Sequence, residues 1–310
     1  YGASMCAISG IDMALLDLKG KVLGVPCYEL LGGAYRKDIL LYANYWFTKG
    51  GHNEADYAEQ ARAVKAAGFT GLKFDPFAHT NYFYGEDLAS NLTLTPAQQD
   101  LAFNVSKAVR EAVGPEVDIM IETHAMLNYR IAVKMAERLA TLDIAWYEEP
   151  AGPESSQTLR AMRERIPSDV AICVGERHYT RFGIRSLLEK HVCDIIMPDI
   201  TRCGGPSEMK RMATMAEAYQ VLLAPHNPNG PLSTLASSHV CASVPNFFRQ
   251  EFMFNDVPWR DTVIDHPIAD MVYDGHLHLS DRPGLGVDLV EEEMEKHPGI
   301  TSNPPENFYI

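Results

Sequence analysis

Ile121-Glu122-Thr123-His124, Trp146-Tyr147-Glu148-Glu149-Pro150 and Cys173-Val174-Gly175-Glu176-Arg177-His178-Tyr179 each close a short apolar run with an acid. Glu122, Glu148 and Glu176 are spaced 148−122 = 26 and 176−148 = 28 residues apart. One strand, one loop and one helix fill such an interval, so the three acids hold equivalent places in three successive units. In a closed parallel barrel the C-terminal ends of all strands open on one mouth. Three carboxylates gathered there repel one another unless a cation lies between them. Oxygen-only ligands favour a hard divalent ion, Mg²⁺ before any transition metal.

The alternation extends in both directions. Residues 4–24 predict a lead-in helix stopped by Gly24 and Pro26. Residues 39–45 and 71–76 read as strands, and Ala58, Ala61, Val64 and Ala67 stripe a helix over 53–67. A polar and aromatic loop, 77–94, is long enough to be functional or mobile. Thr95 and Pro96 then cap a helix to Val113. Downstream, strands over 117–122, 145–149, 170–176, 194–199, 222–225 and 247–251 alternate with helices over 129–141, 155–165, 184–191, 207–219 and 232–242. Eight strands, with the helix before residue 39 completing the ring, predict an α/β fold of the TIM-type (β/α) barrel. The chain thus divides into a lead-in helix and linker (1–38), a barrel carrying the site (39–252) and a C-terminal tail (253–310). The tail is rich in Pro, Asp and Gly, has one short helix near 290–296, and reads as a wrap returning to another part of the molecule.

Composition narrows the function. With 310 residues and 46% hydrophobic content, the chain can build a sizeable core. A net charge of −14 argues against nucleic acid as a partner. No apolar run reaches the roughly 18–20 residues of a membrane span. The six cysteines form no CxxC pair and read as reduced core residues of a cytoplasmic protein. The chain begins at Tyr1 rather than Met, so an upstream segment is expected.

Ionisable residues recur in phase at the strand ends: Lys73 and Asp75, Glu122 and His124, Glu148, Glu176, Asp199, His226, then Glu251. Buried charge is costly unless paired or metal-bound, so this phasing points to one polar site. Glu149 falls on the opposite side of its strand from Glu148 and is expected to meet a structural base. Asp199 is one strand from His226, close enough to bond its ring. Such a partner makes His226 a candidate general base. His124 shares a face with Glu122 and is either a metal ligand or a proton donor. Lys73 either meets a substrate carboxylate or closes the acidic mouth as an ion pair, and Asp75 is a base or a partner for Lys73. His178 repeats the two-residue step after Glu176 but opens a loop, which makes it a supporting, substrate-side residue.

Together these residues resemble the enolase superfamily, its mandelate racemase subgroup and the acid-sugar (galactonate-dehydratase-like) dehydratases within it. The resemblance runs from IDMALLDLKGKVLG and YELLGG through KFDPF, IETH, YEEP, GER, PDITRCGG and APHNPNGP to QEF. It implies Mg²⁺ held by Glu122, Glu148 and Glu176, and His226 with Asp199 as the base dyad. It further implies that Glu251 hydrogen-bonds the substrate, that Lys73 faces the substrate carboxylate and that His124 serves as an acid. Members with a lysine base on the second strand carry K-x-K, whereas this chain has Lys73-Phe74-Asp75. The family's N-terminal capping domain is largely absent from this chain, and the tail resembles the segment that completes it. The implied reaction is removal of the C2 proton of a sugar acid (aldonate or aldarate) to an enediolate, then loss of the 3-hydroxyl to a 2-keto-3-deoxy acid. Alternatives are a cycloisomerase of an anhydro-sugar acid or sugar lactone, and a non-catalytic barrel. The family's habit of assembly implies a homo-oligomer.

Overall fold

Eight parallel strands close on themselves in this computed structural model, which describes residues 2–48, 53–78, 93–254 and 256–298. They are β1 (Asp38–Asn44), β2 (Gly71–Phe74), β3 (Asp118–Glu122), β4 (Trp146–Glu148), β5 (Ile172–Val174), β6 (Ile195–Ile196), β7 (Leu222–Leu223) and β8 (Gln250–Met253). Neighbours pair in chain order from β1 to β7. A bridge from Leu223 to Phe247 brings in the last strand, and β8 returns to β1 with Tyr42 opposite Glu251. Residues 79–92, most of the long loop after β2, lie outside the described residues, as do 299–310 of the tail.

Seven helices follow the first seven strands: α3 (Glu54–Ala66), α4 (Pro96–Val113), α5 (Tyr129–Ala140), α6 (Ser156–Arg163), α7 (Thr180–Glu189), α8 (Gly205–Glu217) and α9 (Pro231–Ala242). Their starts are written locally. Asn53, Asn128 and Ser155 accept first-turn N–H bonds, and Thr95 with Gln98 forms a capping box ahead of Pro96. The apolar stripe of each helix meets the strands, so a core ring of Val, Ile, Leu and Met separates the two layers.

The lead-in departs from expectation. α1 (Ala3–Leu23) packs on α8, which already lies between α7 and α9, and α2 (Cys27–Leu30) packs on α9, so α1 lies outside the ring rather than completing it. Asp12 of α1 accepts from the Ser207 N–H and hydroxyl at the start of α8. A side chain at Gly205 would meet that carboxylate at 2.6 Å. The outward face of α1 carries Ile8, Ile11, Leu15, Leu18 and Val22, which are 51–75% exposed.

The tail is more regular than its composition suggests. β9 (Val272–Tyr273) and β10 (His276–His278) form a hairpin whose second strand runs antiparallel to β1, Asp38 opposite His278. The segment then crosses α1, where Leu285 N–H donates to Asp17 and Lys21 pairs with Asp288. The short helix α10 (Glu291–Lys296) follows.

Inside the barrel, Tyr42, Met120, Trp146, Cys173, Ile195, Met197 and Ala224 fill the floor beneath the mouth. Gly71 is needed there. A Cβ at that position would lie 3.1 Å from Arg249, Met120 and Tyr42 alike. The two-residue strand period then lifts the next inward residues to the rim: Met120 leads to Glu122, Trp146 to Glu148, and Met197 to Asp199.

Candidate active site

Three carboxylates meet at the rim. Glu122, Glu148 and Glu176 are buried, and one oxygen of each lies within 4.8 Å of the others. Glu122 accepts from the Thr123 and His124 backbone N–H groups at 2.9 and 2.6 Å. Glu148 accepts the Trp146 indole N–H at 2.7 Å from the floor below. Glu176 reaches the cluster because Gly175, at φ 138, breaks the strand alternation; a Cβ there would lie 3.0 Å from the Met197 backbone nitrogen. Burial and the Glu122 charge push the Glu148 carboxyl well above the usual range. An all-oxygen, crowded and dehydrated set of this kind fits a hard divalent cation, whose charge would relieve the repulsion.

Lys73 fills part of that need from the second strand. Lys73 is 2% exposed, and its ammonium lies 2.5 Å from Glu148, 2.9 Å from Glu251 and 3.5 Å from Glu122. Burial lowers its pKa, but these acids outweigh burial and keep it charged. In this structure it is ion-paired with the acids of the mouth. Glu251 also accepts from Asn44 Nδ2 and from the Asn227 N–H, each at 2.6 Å.

Two histidines stand on opposite walls, since β3 and β7 are half a barrel apart. His226, after β7, bonds Asp199 through Nδ1 at 2.9 Å and turns Nε2 to Glu176 at 3.2 Å. Asp199 is fully buried; burial would raise its carboxyl, but bonds from His226, Thr201 and Asn229 bring it down to about 2. Burial lowers the His226 ring and the facing acids Glu176, Asp199 and Glu251 outweigh it, so its pKa is raised. Across the mouth, His124 bonds Asp75 through Nδ1 at 2.9 Å. Burial is again outweighed, by Glu122, Asp75 and Glu176, and the His124 ring is raised to about 9. His124 and Ala125 hold left-handed φ values of 48 and 57, a costly conformation for side-chain-bearing residues, and the His124 N–H there donates to the Glu122 carboxylate.

Asp75 is 1% exposed and divides its oxygens between His124 and the Phe77 N–H, so it partners a histidine rather than Lys73. Among the described residues it forms no ion pair with Lys73, the partner that one sequence reading gave it. His178 sits at the turn into α7; its Nδ1 is buried without a hydrogen-bond partner among the described residues, and burial lowers the ring to about 4. Glu149 points away from the mouth to Arg177, at 2.7 Å, and to the Gly175 N–H. The residues that hold the acids in place were not singled out from sequence. Trp146 carried a signal, lying two residues before Glu148. Thr201, Asn227 and Asn229 stand inside the PDITRCGG and APHNPNGP motifs, but their partners are set by loop folding and were not legible there.

A parallel barrel with a three-carboxylate cluster and a histidine–carboxylate pair on either wall of its mouth places a set of buried ionisable groups where barrel enzymes carry their active sites. The chain belongs to the enolase superfamily: the family described as "Enolase C-terminal domain-like" matches residues 56–293, and the mandelate racemase / muconate lactonizing enzyme N-terminal domain matches 1–32. It is 33% identical over 299 residues to a D-xylonate dehydratase of Haloferax volcanii, covering 96% of this chain and 70% of that protein. A crystal structure of a mandelate racemase/muconate lactonizing enzyme-like protein from Rubrobacter xylanophilus superposes with a TM-score of 0.87 at 36% identity, covering 96% and 77% of the two chains. The 3,6-anhydro-D-galactonate cycloisomerase of Zobellia galactanivorans does so with 0.82 at 30% identity, covering 95% and 76%.

Proposed function

We propose that this chain is the catalytic barrel of a Mg²⁺-dependent sugar-acid dehydratase, a carbon–oxygen hydro-lyase. The observation that carries the reading is the pair of carboxylate-partnered histidines facing each other across the glutamate triad. A Mg²⁺ ion held by Glu122, Glu148 and Glu176 would neutralise charge developing on the substrate carboxylate when the weakly acidic C2 proton leaves. His226 Nε2 takes that proton, and Asp199 keeps the proton on Nδ1 and stabilises the imidazolium. His124, protonated and oriented by Asp75, gives a proton to the departing 3-hydroxyl from the opposite wall. Lys73 and Glu251 supply the charged floor under the carboxylate, and His178 supports the substrate side of Glu176. The product is a 2-keto-3-deoxy acid.

The likeness to the Zobellia galactanivorans cycloisomerase supports a second reading, in which the same C2 chemistry expels a ring oxygen. Screening sugar acids with the full-length protein and Mg²⁺ separates the two. Keto-acid release is expected; an isomer of unchanged mass would favour the second reading, and no turnover would sink both. Chelation should stop turnover and Mg²⁺ restore it. A cytoplasmic setting agrees with six free cysteines, five of them buried. The exposed apolar stripe of α1 supports a homo-oligomer, and light scattering that finds only monomer for the full-length protein would count against it.

A further inference from the structure

The segment that carries the base, His226-Asn227-Pro228-Asn229-Gly230-Pro231, has two prolines and so few backbone donors of its own. Side chains hold it instead. Asn227 gives its N–H to Glu251 and its amide to Thr234 Oγ1, at 2.6 and 2.8 Å. Asn229 gives its amide to both oxygens of Asp199, at 3.2 and 3.1 Å. One segment thereby fixes a carboxylate on each side of His226. What sets the segment itself is Arg260, from the turn after β8. This arginine is 93% buried (7% exposed), although it belongs to neither the mouth nor the barrel wall. Its Nη2 donates to Thr234 Oγ1 at 2.9 Å and to the Asn229 carbonyl at 3.2 Å, Nε faces Asp256 at 3.1 Å, and the guanidinium lies over the Phe252 ring.

We propose that Arg260 is a positioning residue: it locks the 226–231 segment in the one register that presents His226 between Glu251 and Asp199. A buried guanidinium is an expensive way to secure a surface turn, since an apolar side chain over Phe252 would pack there without desolvating a charge. Its two donors end on the node shared with Asn227 and on the residue that clamps Asp199. Both bonds leave Nη2 while Nε stays on Asp256, a pairing of two nitrogens that a lysine, with one, does not reproduce. The inference rests on His226 being the base of the proposed reaction.

The test uses the full-length protein with Arg260→Ala and Arg260→Lys. Arg249→Ala serves as a control, since Arg249 is equally buried but bonds Asp118 and Thr70 at the opposite end of the barrel. Both Arg260 variants are expected to lose turnover by on the order of tenfold to a hundredfold, as for an ångström of misplacement. Guanidinium added to Arg260→Ala should restore part of the rate, with no such rescue for Arg249→Ala. Independently of any turnover, histidine-labelled protein should show the His226 Nδ1 proton as a downfield resonance absent from His226→Asn. That resonance should broaden or shift in Arg260→Ala and return with guanidinium. An unchanged resonance in folded Arg260→Ala, or a rate loss matched by the fraction unfolded and not rescued, overturns the proposal. Wild-type protein without turnover on any sugar acid defeats the dehydratase reading alone, since the resonance still decides the role of Arg260.

Discussion

At the scale of single residues, the two histidines make different demands. His226→Asn should remove exchange of the C2 proton with solvent, a loss of about 10²–10⁴ in rate, while Mg²⁺ binding survives because the ligands lie on other strands. His124→Asn should leave that exchange measurable by NMR while dehydration stops, because abstraction and departure belong to separate walls. A reversed pattern would exchange the two roles. The pH profile follows from the dyad. A base works only when neutral, so activity is present above its pKa and is lost as pH falls through it. Asp199 is one of the acids that raise His226. Asp199→Asn should therefore move the acid limb of the kcat profile to lower pH while lowering its plateau. An acid limb moving upward would show that Asp199 does not act through this ring.

Among the elements, β5 is the least regular and the most informative. Strand period alone would turn residue 175 inward after Cys173, yet Glu176 faces Glu122 and Glu148, and the left-handed Gly175 makes the difference. Gly175→Ala should cost about 1–3 kcal/mol of stability and weaken Mg²⁺ binding, read by denaturant unfolding and calorimetric titration. Binding at wild-type strength would mean that Glu176 is aimed by something else. The eight strands and the triad were legible because strands two to eight repeat the same phase, apolar run then ionisable residue, at about one unit's length. The β9–β10 hairpin was not legible. Two strands of two and three residues are too short for periodicity to show, and one of them, His276-Leu277-His278, is mostly polar. The histidine partner of Asp75 was hidden for a related reason: strand phase places Asp75 beside Lys73, but its partner depends on the turn after β3, which brings His124 to it. Arg260 lay in a stretch without pattern, and only its burial marks it.

At the scale of the whole molecule, β1 is the strand on which closure depends. One edge takes β8 along Leu41–Asn44, and the other is divided between β2, opposite Ala43, and β10, opposite Asp38–Leu40. Ending the chain at Phe254 would expose half of that edge, and the soluble yield should fall several-fold against the intact chain; undiminished yield of folded protein would show the hairpin to be dispensable. The same arrangement sets a clock on synthesis. β1 leaves the ribosome long before residues 250–278, and at about 5–20 residues per second the wait is roughly 10–50 s. Throughout it, a strand of sequence Ile-Leu-Leu-Tyr-Ala has one side open to any other chain nearby. The nascent protein is therefore a natural client for whatever shields hydrophobic strand edges during translation, and its dependence on such help should ease when elongation is fast.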